Sequence, residues 1–303
     1  MVEAETLRTR LSRKPIVVTP GVYDAFTALM ATRAGFATLY VSGAAIAYTR
    51  LGRPDIGLVS MSEVAETIAL IRDRVDAHLI VDADTGYGNA LNVVRTVRTF
   101  ERAGASAIQL EDQDFPKRCG HLDGKGLISA DEMVGKIKAA LDARQSPETL
   151  VIARTDAVAV EGFERAMERA ALYAQAGADM LFVEAPKTRE ELARITKALP
   201  GVPLMANMVE GGKTPTLPAS ELESIGFALV IFPGGIVRAL ARNAADYYAS
   251  LATNGTTEPF RNQMLDFDGL NRVIGTPEMI ALGKRYERVT PADNDNDNKS
   301  GKP

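Results

Sequence analysis

Six short apolar segments of the chain end in residues that bind metal ions or carboxylates. They finish at Ser42-Gly43, at Asp82 and Asp84, at Glu111-Asp112, at Arg154-Thr155-Asp156, at Glu184 and at Asn207. Carboxylates gathered from several segments repel one another unless a cation sits among them. Hard oxygen donors, with only His78 and His121 in the whole chain, favour Mg2+ or Mn2+ over zinc. In the run VDAD, Asp82 and Asp84 are two apart, a spacing that puts both on one face of a strand. A single aspartate at a strand end can also cap the next helix; the set as a whole reads as a metal site.

The second chemical signal is Lys117-Arg118-Cys119-Gly120-His121, which contains the single cysteine of the chain. A lone cysteine is often an inert small hydrophobe in a core. This one lies in a polar stretch, flanked by two cations and a histidine that would stabilise a thiolate. Gly120 would let the backbone approach a ligand closely. The pattern suits a cysteine that exchanges a proton with substrate, or a nucleophile. Two other motifs fail. GYGNAL (86–91) has Leu91 where a dinucleotide fingerprint needs its third glycine, and EGGKT (210–214) has Asn207 where a phosphate loop needs its first. Neither supports a nucleotide. His78 reads as structural and the scattered methionines as core.

The elements that must position these residues recur along the chain. β-rich runs occupy 16–21, 36–43, 78–84, 107–112, 150–155, 180–185, 204–208 and 229–233. Each is nearly continuously apolar, as in parallel strands covered on both faces. Helical periodicity fills the gaps, and RAGF, RAGA, QAGA and SIGF each carry a helix-ending glycine before a strand. Eight alternations predict a (β/α)8 TIM-type barrel, with a doubly wound open sheet as the alternative. A barrel keeps its site at the C-terminal strand ends, where the polar residues lie. Two regions depart from the alternation: a polar loop over 113–129, expected to be a lid or disordered, and a helical pattern from Ile236 to about Tyr286. We read residues 1–290 as one barrel domain with a C-terminal helical extension, and 291–303, PADNDNDNKSGKP, as a disordered tail.

Composition narrows the function classes. The 303 residues carry 35 Lys+Arg against 39 Asp+Glu, a net charge of −4, which leaves no nucleic-acid footprint. The longest weakly polar stretch, 35–48, is 14 residues, short of the ~20 a bilayer needs. The first residues contain no apolar signal core, and a single cysteine fits a reducing compartment. These features predict a cytoplasmic protein acting on a small molecule.

YVSG (40–43), LGRPDIG (51–57), VDADTGYGN (81–89), LEDQ (110–113), PKRCGH (116–121), ARTDA (153–157) and ANMVEGGKTP (206–215) together resemble the isocitrate lyase/phosphoenolpyruvate mutase superfamily, over about residues 10–287. The resemblance implies a barrel whose last helix is exchanged between subunits, in a homotetramer built as a dimer of dimers. It implies that Asp82 and Asp84 bind Mg2+ (or Mn2+), with Asp55 and Glu111 in support. Cys119, His121, Arg154 and Glu184 become the catalytic candidates. Tyr40, Ser42, Gly43, Ala44, Gly120, Asn207 and Arg238 become the substrate-binding ones, and Cys119-Gly120-His121 part of a mobile gating loop.

The cysteine loop implies the carbon–carbon lyase branch. A base takes the 2-hydroxyl proton, the C2–C3 bond breaks, an α-keto acid leaves, and the carboxylate enolate needs a proton at carbon. Cys119 is the expected donor. The segment around Asn207 resembles lyases of substituted malates such as 2,3-dimethylmalate, with Met208 and Val209 as an apolar wall and Lys213 within reach of a third carboxylate. The alternatives are a 2-methylisocitrate lyase releasing pyruvate and succinate, an oxaloacetate hydrolase or decarboxylase, a phosphonate mutase, and a non-catalytic keto-acid-binding protein.

Overall fold

The computed structural model describes residues 5–287. Eight strands form: β1 Val17–Val22, β2 Thr38–Val41, β3 His78–Asp82, β4 Ala107–Glu111, β5 Leu150–Thr155, β6 Met180–Val183, β7 Leu204–Asn207 and β8 Leu229–Phe232. All pair in parallel, each with the next, and β8 returns to β1 with Val17 opposite Leu229. The sheet is a closed barrel, which excludes the open-sheet alternative.

Thirteen α-helices accompany the strands among the described residues: α1 Leu7–Leu11, α2 Ala25–Arg33, α3 Gly43–Ile46, α4 Met61–Arg74, α5 Ala90–Ala103, α6 Ala130–Ala143, α7 Ala157–Val160, α8 Phe163–Gln175, α9 Arg189–Ala198, α10 Ala219–Ile225, α11 Gly235–Asn254, α12 Phe267–Ile274 and α13 Thr276–Lys284. The four glycines expected to close helices do so in left-handed conformation, with φ of 96° at Gly35, 108° at Gly104, 97° at Gly177 and 116° at Gly226.

Strand alternation sorts the apolar residues into two layers. Leu39, Val41, Leu79, Val81, Ile108 and Val151 face the helices. Val17, Tyr40, Ile80, Ile152, Phe182 and Ile231 fill the barrel, joined by Leu7 and Leu11 of α1. Burial on both faces explains the near-continuous apolarity of the strands. The described residues form two compact units, 5–242 and 243–287. In the second, Tyr247 stacks edge-on against Tyr248 and Phe260 at 5.3 and 5.5 Å. Tyr248, Phe267, Met279 and Tyr286 are exposed there. The tail expected at 291–303 lies outside the described residues.

Candidate active site

The same alternation builds the site. Tyr40, Ile80, Gln109, Ile152, Phe182 and Met205 point inward, so the residues two further on, Ser42, Asp82, Glu111, Arg154, Glu184 and Asn207, form the next inward layer at the C-terminal mouth. Tyr40 donates to Gln109 Oε1 at 3.1 Å within the lower layer, and Gln109 Nε2 donates to Asp82 Oδ1 at 3.4 Å, tying it to the layer at the mouth. Asp84 arrives differently from expected. The strand ends at Asp82, and Asp84 has φ of 48°, so a left-handed turn rather than strand spacing returns it to the site. Gly43 lies beside both aspartates: a Cβ there would stand 3.3 Å from Asp82 Oδ2 and 3.5 Å from Asp84 Oδ1. Ser42 caps α3, accepting the Ala45 N–H at 3.2 Å, which fixes Gly43 and Ala44 at the cavity edge.

The 113–129 segment folds across the mouth of the barrel. Gln113 and Leu127 form an antiparallel bridge, and the Gln113 side chain bonds the Arg118 carbonyl and N–H at 2.8 and 2.9 Å. This folds Cys119, Gly120 and His121 over the mouth. The Cys119 N–H donates to the Asp55 carbonyl at 3.1 Å, and His121 Nδ1 accepts the Lys213 N–H at 3.0 Å. That bond leaves Nε2 as the protonated nitrogen of neutral His121, 3.4 Å from Glu184 Oε1. Burial lowers the His121 pKa, favouring the neutral ring.

The flanking cations do not serve Cys119 as the sequence suggested. Lys117 Nζ sits 2.6 Å from both Asp55 Oδ1 and Asp84 Oδ1, and Arg118 donates to the Asp123 carbonyl at 2.9 Å. Burial pushes the Cys119 thiol up from its ordinary value, with the Asp55 and Glu184 charges adding to the effect. The group is therefore held as a thiol, the form a proton donor needs.

Burial also dominates the acidic cluster. It raises Asp84 to about 7 against the pull of Lys117, and the charges of Asp82 and Asp55 push the same way. Glu111 is raised well above the carboxylate range by burial, although Arg154 Nε lies 3.5 Å away. Burial opposes the charge on Lys117, but Asp84, Glu111 and Asp55 more than offset it. Among the described residues, no three His, Cys, Asp or Glu side chains close a metal site by themselves. The donors nonetheless fit a hard cation. Glu111 Oε1 is buried without a hydrogen bond, and Asp84 Oδ1 has only the Lys117 ion pair. Mg2+ is commonly held by one or two carboxylates, with water and substrate completing the shell.

These groups surround a cavity of about 60 Å³. Tyr40, Ser42, Ala44, Asp55, Asp82, Cys119, Gly120, His121, Arg154, Glu184, Asn207 and Arg238 line it, while Gly43, Asp84 and Glu111 are not among its lining residues. Asn207 donates to Glu184 Oε2 at 3.0 Å. Val209, Ile231 and Pro233 give the cavity an apolar side. Met208 does not share it. This residue is buried elsewhere, with its sulfur accepting the Leu217 N–H at 3.3 Å. Lys213 does not line the cavity and pairs with Asp123 at 2.6 Å, while Arg238 pairs with Glu210 at 3.1 Å. The sequence reading missed Lys117 as a partner of the carboxylates, and Tyr48, Ile231 and Pro233 as lining residues; none carries a local signal beyond its neighbourhood.

Against known proteins, the chain matches the family model described as phosphoenolpyruvate phosphomutase over residues 7–252. It is 42% identical to the 2,3-dimethylmalate lyase of Eubacterium barkeri over 286 residues, covering 94% of this chain and 99% of that protein. It is 47% identical to the 2-methylisocitrate lyase of Aeropyrum pernix over 258 residues, covering 85% and 82% respectively. Among solved structures, a 2,3-dimethylmalate lyase superposes with a TM-score of 0.86 at 35% identity, covering 92% and 93% of the two chains. A phosphonopyruvate hydrolase complexed with oxalate and Mg2+ gives 0.83 at 31% identity, covering 92% and 97%.

Proposed function

The chain belongs to the phosphoenolpyruvate phosphomutase family, and from that premise we propose that it is a Mg2+-dependent carbon–carbon lyase cleaving a substituted malate, such as 2,3-dimethylmalate, to a pyruvate-like α-keto acid and a carboxylate. The lyase class follows from relatives named as lyases over nearly the whole chain. The observation that carries the reading is the meeting, in one small cavity, of Cys119, the Arg154 guanidinium and Asp82.

In the reaction, Arg154 holds a substrate carboxylate, for which its planar donor pair is suited. A base in the cavity takes the 2-hydroxyl proton, the C2–C3 bond breaks, and its electron pair passes to the C3 carboxylate as an enolate. Cys119 delivers its thiol proton to C3, and the base returns the proton it took to the thiolate. His121, Glu184 and Asn207 keep the donor segment and Arg154 in register. Tyr40, Ser42, Gly43, Ala44 and Gly120 shape the cavity around the keto-acid portion. Asp82 and Asp84 would hold Mg2+ or Mn2+, with Asp55 and Glu111 in support; when bound, the ion supplies positive charge to the oxygens of the keto-acid fragment.

The substituted-malate preference rests on the apolar side of Val209, Ile231 and Pro233 and on the pairing of Arg238 and Lys213 with Glu210 and Asp123. A third carboxylate entering there would have to draw Arg238 or Lys213 away from an acidic partner, whereas an alkyl group needs only the apolar side. A panel of substituted malates, 2-methylisocitrate and oxaloacetate, assayed for α-keto acid and oxalate with Mg2+, tests this. A specificity constant for 2-methylisocitrate about tenfold above that for a 2,3-dialkylmalate, equivalent to ~1.4 kcal/mol, would overturn the preference.

We also take residues 1–290 as one barrel domain with its helical extension, acting in the cytoplasm as a homotetramer with the last barrel helix exchanged between subunits. Support comes from the apolar groove of Phe26, Met30, Phe36, Ile236 and Leu240 on the barrel unit and from the exposed Phe267 and Met279 of the helical unit. Light scattering that returned a monomer would refute the assembly. Among the described residues, no helix is long and apolar enough to cross a membrane.

A further inference from the structure

Lys125 stands outside every motif singled out above, yet its side chain is only 1% exposed. Its ammonium donates to the Gly120 carbonyl and lies 2.9 Å from Asp156 Oδ1. Asp156 is wholly buried and also carries Arg154, with Nε 2.9 Å from Oδ2 and Nη2 3.1 Å from Oδ1. The Asp156 N–H is in turn fixed by Asp112 Oδ1 at 2.9 Å, and the other oxygen of Asp112 accepts Thr155 and Tyr173 at 2.7 and 2.8 Å. An isolated buried ammonium is costly, and such a charge persists only where partners satisfy it.

We propose that Lys125 is a positioning residue: a latch that seats the Cys119–Gly120–His121 segment on Arg154 and keeps Arg154 electrically available. The geometry of the latch is tight. A Cβ on Gly120 would overlap Arg154 Nη2 and stand 2.7 Å from Glu184 Cγ. Backbone packed this closely needs something to draw it down, and Lys125 is the cation that reaches its carbonyl from the buried side. The charge argument is separate. Arg154 faces three carboxylates, Asp156 at 2.9 Å and Glu111 and Glu184 each at 3.5 Å, and Lys125 offsets the nearest of them, leaving more of the guanidinium charge to meet a substrate carboxylate. This second part rests on the role given to Arg154 above; the seating does not.

The test compares Lys125→Met, which keeps length and removes charge, with Lys125→Arg, which keeps both charge and donors. Cys119 is the single cysteine, so mass-detected iodoacetamide labelling of the Mg2+-supplied full chain reports this segment alone. The Met variant is expected to label about tenfold faster than the unsubstituted protein, as local opening predicts, with labelling restored by Lys125→Arg. Oxalate affinity, measured by calorimetry, should fall about tenfold in the Met variant, the ~1.4 kcal/mol scale of one charged contact. Unchanged labelling in a folded Met variant refutes the latch whatever the substrate is. Faster labelling with unchanged oxalate affinity upholds the seating and refutes the charge role. If the Met variant does not fold, Lys125→Gln replaces it, with unchanged labelling again the refuting result.

Discussion

Asp156 grips Arg154 along one edge, Nε to Oδ2 at 2.9 Å and Nη2 to Oδ1 at 3.1 Å, so the guanidinium plane is set before any substrate arrives. Arginine is the side chain able to present a fixed planar fork to a carboxylate while being clasped in this way. Arg154→Lys keeps the charge and loses the fork. It is expected to raise KM by roughly 10- to 100-fold, the equivalent of a charge-assisted hydrogen bond of ~1.5–3 kcal/mol. Steady-state kinetics on a dialkylmalate measures it, and an unchanged KM would remove Arg154 from substrate binding.

Cys119→Ser replaces the thiol with a far weaker acid in the same place. Turnover should fall by about two orders of magnitude or more, the scale of general acid catalysis, while substrate affinity changes little. Because the thiol is raised by burial, the alkaline limb of kcat should lie above the ordinary thiol pKa of about 8.5. A limb below that value would point to a different group.

The acidic cluster links metal, pH and stability. Asp84 is raised to about 7 in the fold from about 3.9 unfolded. The metal-free fold therefore binds a proton that the unfolded chain releases, and the associated stability is lost as pH rises through about 7. Without metal, the melting temperature should decline between about pH 4 and 7 and level off above that. Mg2+ should raise it more at the upper end, since ion and proton compete for the same oxygens. Chelation should abolish activity, Mg2+ or Mn2+ should restore it, and Asp82→Ala or Asp84→Ala should be nearly inactive. Full activity in thoroughly metal-free protein would contradict all of this.

Gly120→Ala adds one methyl where there is no room, against Arg154 and Glu184. The loop should fail to seat and turnover should collapse, while melting temperature stays close to that of the unsubstituted protein because the barrel core is untouched. Near-normal turnover would mean that the seated position is not the working one.

Much of this was legible in the sequence because strand alternation is local information. Given eight apolar runs, a period of two places Ser42, Asp82, Glu111, Arg154, Glu184 and Asn207 inward at one end. The residues misread are those placed by tertiary contact. Asp84 comes back through a left-handed turn, not through strand spacing. Lys117 and Arg118 look like partners of Cys119 in the linear order, but their long side chains reach Asp55, Asp84 and the Asp123 carbonyl instead. Lys125 gave no signal because a lysine in a polar stretch reads as solvated until a carboxylate and a carbonyl are found around it.

The burial of Cys119 has a consequence for the lifetime of the protein. Peroxides attack the thiolate, and a cysteine held as a thiol is oxidised slowly to sulfenic and sulfinic acids. The burial that suits Cys119 to the proposed proton transfer therefore also shelters it from oxidative damage. On the proposed reading, in which the Cys119 loop opens to admit substrate, a ligand-saturated enzyme should outlast an idle one under peroxide.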